Sequence, residues 1–323
     1  MSVLLLKALG KPRLSVLDGL AAAGAFGIRA ALEVPGTAVS FNDKNPLAVG
    51  LLRRNVALNG IKTDGIYEEP LQARLSSARY DFVDVDPFGT PVPYIDSAFQ
   101  SARSDGIVAV TATDTAVLCG AQPRACLRRY EARPLHTDFC KEVGLRILIG
   151  YCTRTAAKHD KAVTPLLSFG ADHYMRAFMR VEHGAGKADK SLACMGYASF
   201  NRQTGKRHLA DERPSDSEWA GPLWAGGLWE ADVVRQLSPP DYMGHETSLL
   251  VQTIKEELTG QALYVTTDFL ARLLKCSPPP MDVILDALKS SGLTATRTHF
   301  DPAGIRTNAP WEELLAVYRR LSS

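Results

Sequence analysis

A strand, a loop of small residues and a helix, met in that order between Arg13 and Glu33, confine the fold more tightly than anything else in the chain. Arg13 to Leu20 is a short apolar run that reads as a buried first strand. Ala21-Ala22-Ala23-Gly24-Ala25-Phe26-Gly27 follows, and Ile28 to Glu33 has helical composition. This is the opening of a nucleotide-binding βα unit, in which small side chains let the backbone approach a ligand. The bland alternative is close packing of helix on strand with no ligand at all.

Val39 to Asp43 reads as the next strand and ends in a carboxylate. A helix is expected over Asn45–Asn59, with Pro46 in its first turn and Leu47, Leu51, Val56 and Leu58 as its apolar set. Asp43 lies where an acid holds both hydroxyls of an adenosine ribose, and that spacing alone fits NAD and S-adenosylmethionine equally well. The loop lacks the Gly-x-Gly-x-x-Gly pattern that cradles a pyrophosphate, which favours the sulfonium cofactor. Glu68-Glu69-Pro70 marks a third strand end, read either as an adenine contact or as a solvated acidic turn.

Tyr80 to Val85 is a short strand stopped abruptly by Asp86-Pro87-Phe88-Gly89. A carboxylate, a carbonyl fixed by a proline ring and an aromatic face thus gather at the carboxyl end of a strand, where open α/β sheets bind ligands. Asp86 and the Pro87 carbonyl suit the exocyclic amine of a flat base, and Phe88 suits its ring. An isolated Asp-Pro is more often a plain turn. Here the flanking units favour a site, and a dehydrogenase has no need of this segment.

Pro93 to Arg103 reads as a helix and Ile107 to Thr113 as a further strand. Residues 119–161 are basic, with Arg124, Arg128, Arg129, Arg154 and Lys158 among nine cations set against four acids. Arg124 and Arg128, four apart, share a helix face. A charge run is usually a solvated face, but beside an amine-binding site it becomes a phosphate track. Val163–Phe169 and Tyr174–Val181 form a closing hairpin, with His173 a structural polar residue at its turn. Gly184 to Lys187 reads as the exit from a first domain, 1–186, into a second, smaller α+β domain, 187–323. That second part holds a small β unit from Leu192 and three tryptophans, Trp219, Trp224 and Trp229, that suit core anchors. Helices are expected over Glu246–Leu258, Thr267–Leu274 and Met281–Leu288, and polar, basic loops over Thr296–Pro302 and Gly304–Asn308.

At 323 residues, 46% hydrophobic and 22% charged, the chain has the composition of a soluble globular protein of one or two domains. A net charge of +2 permits a polyanionic partner without requiring one. The six cysteines form no Cys-x-x-Cys pair, so free thiols in a reducing compartment are expected, with no zinc site. The opening Met-Ser-Val-Leu-Leu-Leu-Lys is too short for a signal peptide and no run suits a membrane span. A cytoplasmic protein with no membrane contact and no obligate protein partner is expected.

In sum the chain resembles the tRNA guanine-26 N2-dimethyltransferase family over nearly its whole length. The resemblance rests on Val16-Leu17-Asp18 with the loop to Arg29, Asn42-Asp43-Lys44-Asn45-Pro46, Asp84-Val85-Asp86-Pro87-Phe88-Gly89, Val110 to Thr115 with Leu118-Cys119-Gly120, Gly144 to Gly150, Gly221-Pro222-Leu223-Trp224 and Arg297-Thr298-His299-Phe300. It implies a class I (Rossmann-like) S-adenosylmethionine-dependent methyltransferase domain followed by a tRNA-binding domain, and N2,N2-dimethylguanosine as product. It implies amine binding and catalysis by Asp86, Pro87 and Phe88, and cofactor contacts from Arg29, Asp43, Glu69 and Pro70. Asp18 and Gly24, at the first strand end and in its loop, complete the expected cofactor site. Arg124, Arg128, Arg129, Arg154, Lys158, Arg297, His299 and Arg306 are the expected RNA contacts. Family members begin with a segment ending in Asn-Arg-Asp, whose arginine is implied to bind cofactor. Its absence ahead of Ser2 implies either a start upstream of Met1 or a weakened cofactor site. Some relatives carry paired cysteines in the second domain, where this chain has only Cys194 nearby. The competing readings are a non-catalytic RNA-binding protein on the same fold and an amino-methyltransferase acting on DNA or protein.

Overall fold

The computed structural model describes residues 1–258 and 260–322. Helix α1 (Ser2–Leu9) leads into β1 (Leu14–Asp18), α2 (Ala25–Glu33), β2 (Thr37–Asn42), α3 (Pro46–Leu58), β3 (Gly65–Tyr67), α4 (Leu71–Ser77), β4 (Tyr80–Val85), α5 (Val92–Ser101) and β5 (Ala102–Ala112). After the short helices α6 (Thr115–Leu118) and α7 (Pro123–Tyr130) come the long α8 (Cys140–Ala157) and the hairpin β6 (Lys161–Ala171) and β7 (Tyr174–His183). These strands form one seven-stranded sheet in the order β3-β2-β1-β4-β5-β7-β6. β1 to β5 run parallel and β7 runs against them. The chain winds outward from β1 through β2 to β3, then returns to β4 on the other side of β1. The gap between β1 and β4 is therefore the switch point at which such sheets bind ligands.

Side-chain alternation sorts the sheet into two faces. Leu17, Val83, Val85, Val108, Val110, Ala177 and Met179 pack on one side with α5 and α8. Leu14, Val16, Phe82, Ile107, Ala109 and Phe178 pack on the other with α1 and α2. Both faces are covered, so the strands read as continuous apolar runs. The same period of two carries Asp18, Asp84, Thr111 and Arg176 onto the face of Phe82 and Phe178, all at the end where β1, β4 and β5 finish.

The remaining chain is α9 (Ala185–Leu192), β8 (Met195–Phe200), β9 (Arg207–Ala210), β10 (Glu218–Trp224), α10 (Ala231–Gln236), α11 (His245–Glu257), β11 (Val265–Thr266), α12 (Thr267–Leu274), α13 (Met281–Ser290), β12 (Ala295–Thr298), β13 (Asp301–Thr307) and α14 (Trp311–Leu321). It makes two three-stranded antiparallel sheets, β10-β8-β9 and β11-β13-β12. α8 is buried along most of its length because it lies between β6 and β10. A Cβ on Gly150 would meet the Trp224 backbone, and one on Gly144 would press the end of the Met175 side chain, so α8 lies close against both neighbours.

Two expectations are corrected. In α3 the buried residues are Val49, Leu52 and Val56, while Leu47, Leu51 and Leu58 are 79%, 55% and 73% exposed. At Gly184–Lys187 the chain enters α9, which starts at Ala185 and packs on β6 and α8. The expected terminal loops are the strands β12 and β13, followed by α14, whose Leu314, Val317 and Tyr318 enter a core with Val265, Leu270 and Ile284. Two of the three tryptophans anchor packing: Trp224 Nε1 donates to the Gly227 carbonyl at 2.8 Å and Trp229 Nε1 to the Ser168 carbonyl at 2.8 Å.

Candidate active site

At the strand tips the alternation just described produces a buried polar row. Arg176, with 8% of its side chain exposed, donates to Asp84 Oδ1 and Thr111 Oγ1, and to Ser2 Oγ at 3.0 Å; its Nη1 is 3.9 Å from Asp86 Oδ2. One fixed guanidinium thus lies behind two carboxylates. Burial pushes Asp84 up to about 6 even though Arg176 pulls it down. Asp18 is pushed up to about 7 by burial and by the neighbouring Asp84, against a hydrogen bond from the Gly27 N–H at 3.0 Å.

Asp86 is the first residue past β4, and its side chain is 55% exposed. Together with Asp84, Arg176, Thr113, Phe26 and His299 it lines a cavity of about 650 Å³, the size class of a small-molecule site. Pro87 is buried, whereas Phe88 is fully exposed. The turn is held behind Phe88: the Gly89 N–H donates to Thr113 Oγ1 at 2.6 Å, and the Thr113 N–H returns to the Gly89 carbonyl at 3.0 Å. The backbone is thereby fixed while the phenyl ring remains unengaged. Of the three expected amine-binding residues, Asp86 lines the cavity, while Pro87 is buried and Phe88 stands exposed beside it.

The expected cofactor residues lie around the β1–β2–β3 ends. Asp43 accepts from the Ala22 N–H at 2.9 Å and from the Asn45 N–H at 2.8 Å, so its carboxylate is aimed along the small-residue loop. Gly24 has φ +85°, and a Cβ there would press into Leu52, so the loop can take this path only with glycine. Asn42 donates to the carbonyls of Gly19 at 3.1 Å and Glu69 at 3.2 Å, bracing the loop against the Glu69-Pro70 turn. Its Oδ1 is buried with no partner among the described residues, an acceptor left for a bound group. Glu69 also lies 3.7 Å from Arg74. A cradle with a ribose-type acid and a free buried acceptor fits S-adenosylmethionine. Arg29 stands apart, its Nε donating to Glu33 at 2.6 Å beside a smaller hollow lined by Met1 and Thr247, which also border the main cavity.

The expected RNA residues divide. Arg124 and Arg128 are exposed on α7 and Lys158 is exposed at the end of α8. Arg129 pairs with Asp114 at 3.1 Å and Arg297 with Asp282 at 2.9 Å, both still at the surface. Arg154 turns inward, donating to the Tyr130 carbonyl at 2.8 Å and the Pro222 carbonyl at 3.5 Å. Arg306 is a correction: with 1% of its side chain exposed it pairs with Glu142 at 2.8 Å and Glu257 at 2.7 Å, out of reach of any polyanion. His299 is a second correction. Its Nδ1 donates to Glu257 at 2.5 Å and its Nε2 accepts from the Gly170 N–H at 3.4 Å, which makes it a wall of the cavity and no surface contact.

Sequence reading missed Arg176, Asp84 and Phe26. The available signal was parity: Arg176 interrupts an apolar strand on the same side as Phe178, and Asp84 lies two before Asp86.

Comparison with known proteins places this geometry. A family model described as N2,N2-dimethylguanosine tRNA methyltransferase matches residues 2–319. A tRNA (guanine(26)-N(2))-dimethyltransferase of Thermococcus kodakarensis is 41% identical, covering 99% of this chain and 90% of the relative. One of Pyrococcus furiosus is 40% identical, covering 98% and 89%. The solved structure of Trm1 from Pyrococcus horikoshii with S-adenosyl-L-methionine superposes with a TM-score of 0.92 at 38% identity, covering 98% of this chain and 91% of that one.

Proposed function

The chain belongs to the N2,N2-dimethylguanosine tRNA methyltransferase family, and from that membership we propose the activity its site performs. It is an enzyme that transfers methyl groups from S-adenosylmethionine to the exocyclic N2 of guanine 26 in tRNA. The observation that supports this reading most directly is Asp86, half exposed at a strand tip in the wall of the cavity that it shares with Asp84, Arg176 and Phe26.

When bound, S-adenosylmethionine supplies an electrophilic methyl group on a sulfonium. Asp18, Gly24, Asp43 and the Glu69-Pro70 turn would hold it, with Asn42 Oδ1 as a further acceptor. Asp86 accepts an N–H of the guanine amine and faces the positive charge that develops on that nitrogen. Phe88, on a fixed turn, stacks on the unstacked base. Arg176 keeps Asp84 paired and backs Asp86 at 3.9 Å, so Asp86 presents its outer oxygen to the amine. Most of the acceleration comes from alignment, since effective molarities of well-placed partners reach roughly 10⁵–10⁸ M.

Arg124, Arg128, Arg129, Lys158 and Arg297 are assigned to tRNA phosphates, with the chain beyond residue 187 as the second tRNA-binding part. No helix among the described residues is long and apolar enough to cross a membrane. We place the enzyme in the cytoplasm, acting without an obligate protein partner.

Asp86→Ala tests the assignment. Methyl transfer to tRNA is expected to fall at least about 100-fold, in line with loss of a preorganised charge-stabilising group, while S-adenosylmethionine affinity by calorimetry is retained. Near-normal turnover in that variant would refute it.

A further inference from the structure

The Thr113-Asp114-Thr115 segment and α7 have no part in the chemistry just described, yet they hold the loop that does it. Thr90, directly after the Asp86–Gly89 turn, lies with its Oγ1 3.1 Å from the Tyr130 hydroxyl. That hydroxyl donates to Asp114 Oδ1 at 2.6 Å, and Asp114 Oδ2 accepts from Arg129 at 3.1 Å. The directions are forced. An ionised carboxylate only accepts, so the single Tyr130 proton goes to Asp114 and the Thr90 hydroxyl must donate to Tyr130. Tyr130 is fully buried and Asp114 has 8% of its side chain exposed, so neither bond is readily replaced by water.

We propose that Tyr130 and Asp114 are positioning residues for methyl transfer, setting the Asp86–Thr90 loop through Thr90 and tying it to the helix that carries Arg124 and Arg128. The inference rests on the reading of Asp86 as the amine acceptor. Thr113 fixes the loop at Gly89 and Tyr130 fixes it one residue later. Between these anchors and β4 the Asp86 carboxylate has little freedom. Removing the Tyr130 hydroxyl leaves Thr90 Oγ1 its long bond from the Val92 N–H at 3.4 Å and the loop pinned chiefly at Gly89. A displacement of about 1 Å at a reacting group costs on the order of 100-fold in rate.

The test uses the full chain and the variants Tyr130→Phe, Thr90→Ala and the double variant. Single-turnover methylation of tRNA at saturating cofactor and tRNA is expected to slow about 10- to 100-fold in each. Affinities for S-adenosylmethionine and tRNA should stay within about twofold of wild type. The double variant should be no slower than the worse single one, because both act through the same bond. Hydrogen exchange of the 86–92 backbone amides in the unliganded protein, which needs no activity, should lose protection in every variant. Wild-type rates in well-folded Tyr130→Phe, additive effects in the double variant, or unchanged exchange would each overturn the inference. Should Tyr130→Phe fail to fold, Thr90→Ala alone decides by rate and exchange. A wild-type protein that methylates no tRNA would sink the functional reading instead, leaving exchange to decide the loop's anchorage.

Discussion

Asp18 and Asp84 are unusual carboxylates for the same reason: paired near the ends of β1 and β4, both lie on the buried side of the sheet, where solvation is lost, and Arg176 pulls each of them down. Asp18 is raised to about 7. The folded chain therefore holds a proton there that the unfolded chain releases near pH 4, so its contribution to stability is complete at low pH and is lost as pH rises through about 7. In the unliganded protein Asp18→Asn, which keeps an acceptor for the Gly27 N–H, should gain on wild type as pH rises. Thermal unfolding followed at pH 5 and pH 8 checks this: the melting-temperature difference should move in the variant's favour by a few degrees at the higher pH. A difference that does not change with pH would mean that Asp18 titrates normally. Single residues were also where sequence reading was weakest. Asp86, Pro87 and Phe88 were legible because they are contiguous and end a strand. Arg306 was not, because its partner Glu142 is 164 positions away and nothing local distinguishes a buried arginine from an exposed one.

Among elements, the strands and helices of the first half could be read with good boundaries, since each carries its own signal. β4 spans Tyr80–Val85 as expected, the βα units stand where the small-residue loop and Pro46 put them, and the hairpin closes through Asp172 and His173. α3 shows the limit of that signal. Its leucines have helical spacing, but Val49, Leu52 and Val56 provide an equally good stripe and are the ones that meet the sheet. The terminal strands were hidden for a different reason: besides Ala295 and Ile305 in the apolar core, β12 and β13 carry Thr298 and Arg306 into a buried polar network on Glu257, which blurs the alternation. α7 is the element whose role is most open to measurement. If Arg124 and Arg128 each neutralise a phosphate, replacing both with alanine should weaken tRNA binding. The plot of log affinity against log salt should also become shallower by about 0.7–0.9 per lost contact. Titrations at several salt concentrations would read this directly, and an unchanged slope would return α7 to the status of a solvated helix.

For the molecule as a whole, the second half of the chain completes the site instead of trailing from it. Glu142 on α8 accepts from Arg146 and Arg306, and Arg306 continues to Glu257, which holds His299 against the cavity wall. Burial by itself would raise Glu142, yet Arg306 and Arg146 outweigh it and hold the carboxyl at about 2. The cavity consequently draws walls from α1, β4, β7 and α11, with His299 from the loop between β12 and β13. None of this was legible from composition, because a net charge of +2 conceals ion pairs that cancel inside the fold. One outcome is expected above all. Given labelled S-adenosylmethionine and an unmodified tRNA transcript, the full chain should form N2-methyl- and then N2,N2-dimethylguanosine, and a transcript with adenine in place of guanine 26 should receive no label. Label on the substituted transcript at wild-type level, or transfer to DNA or protein and not to tRNA, would contradict it.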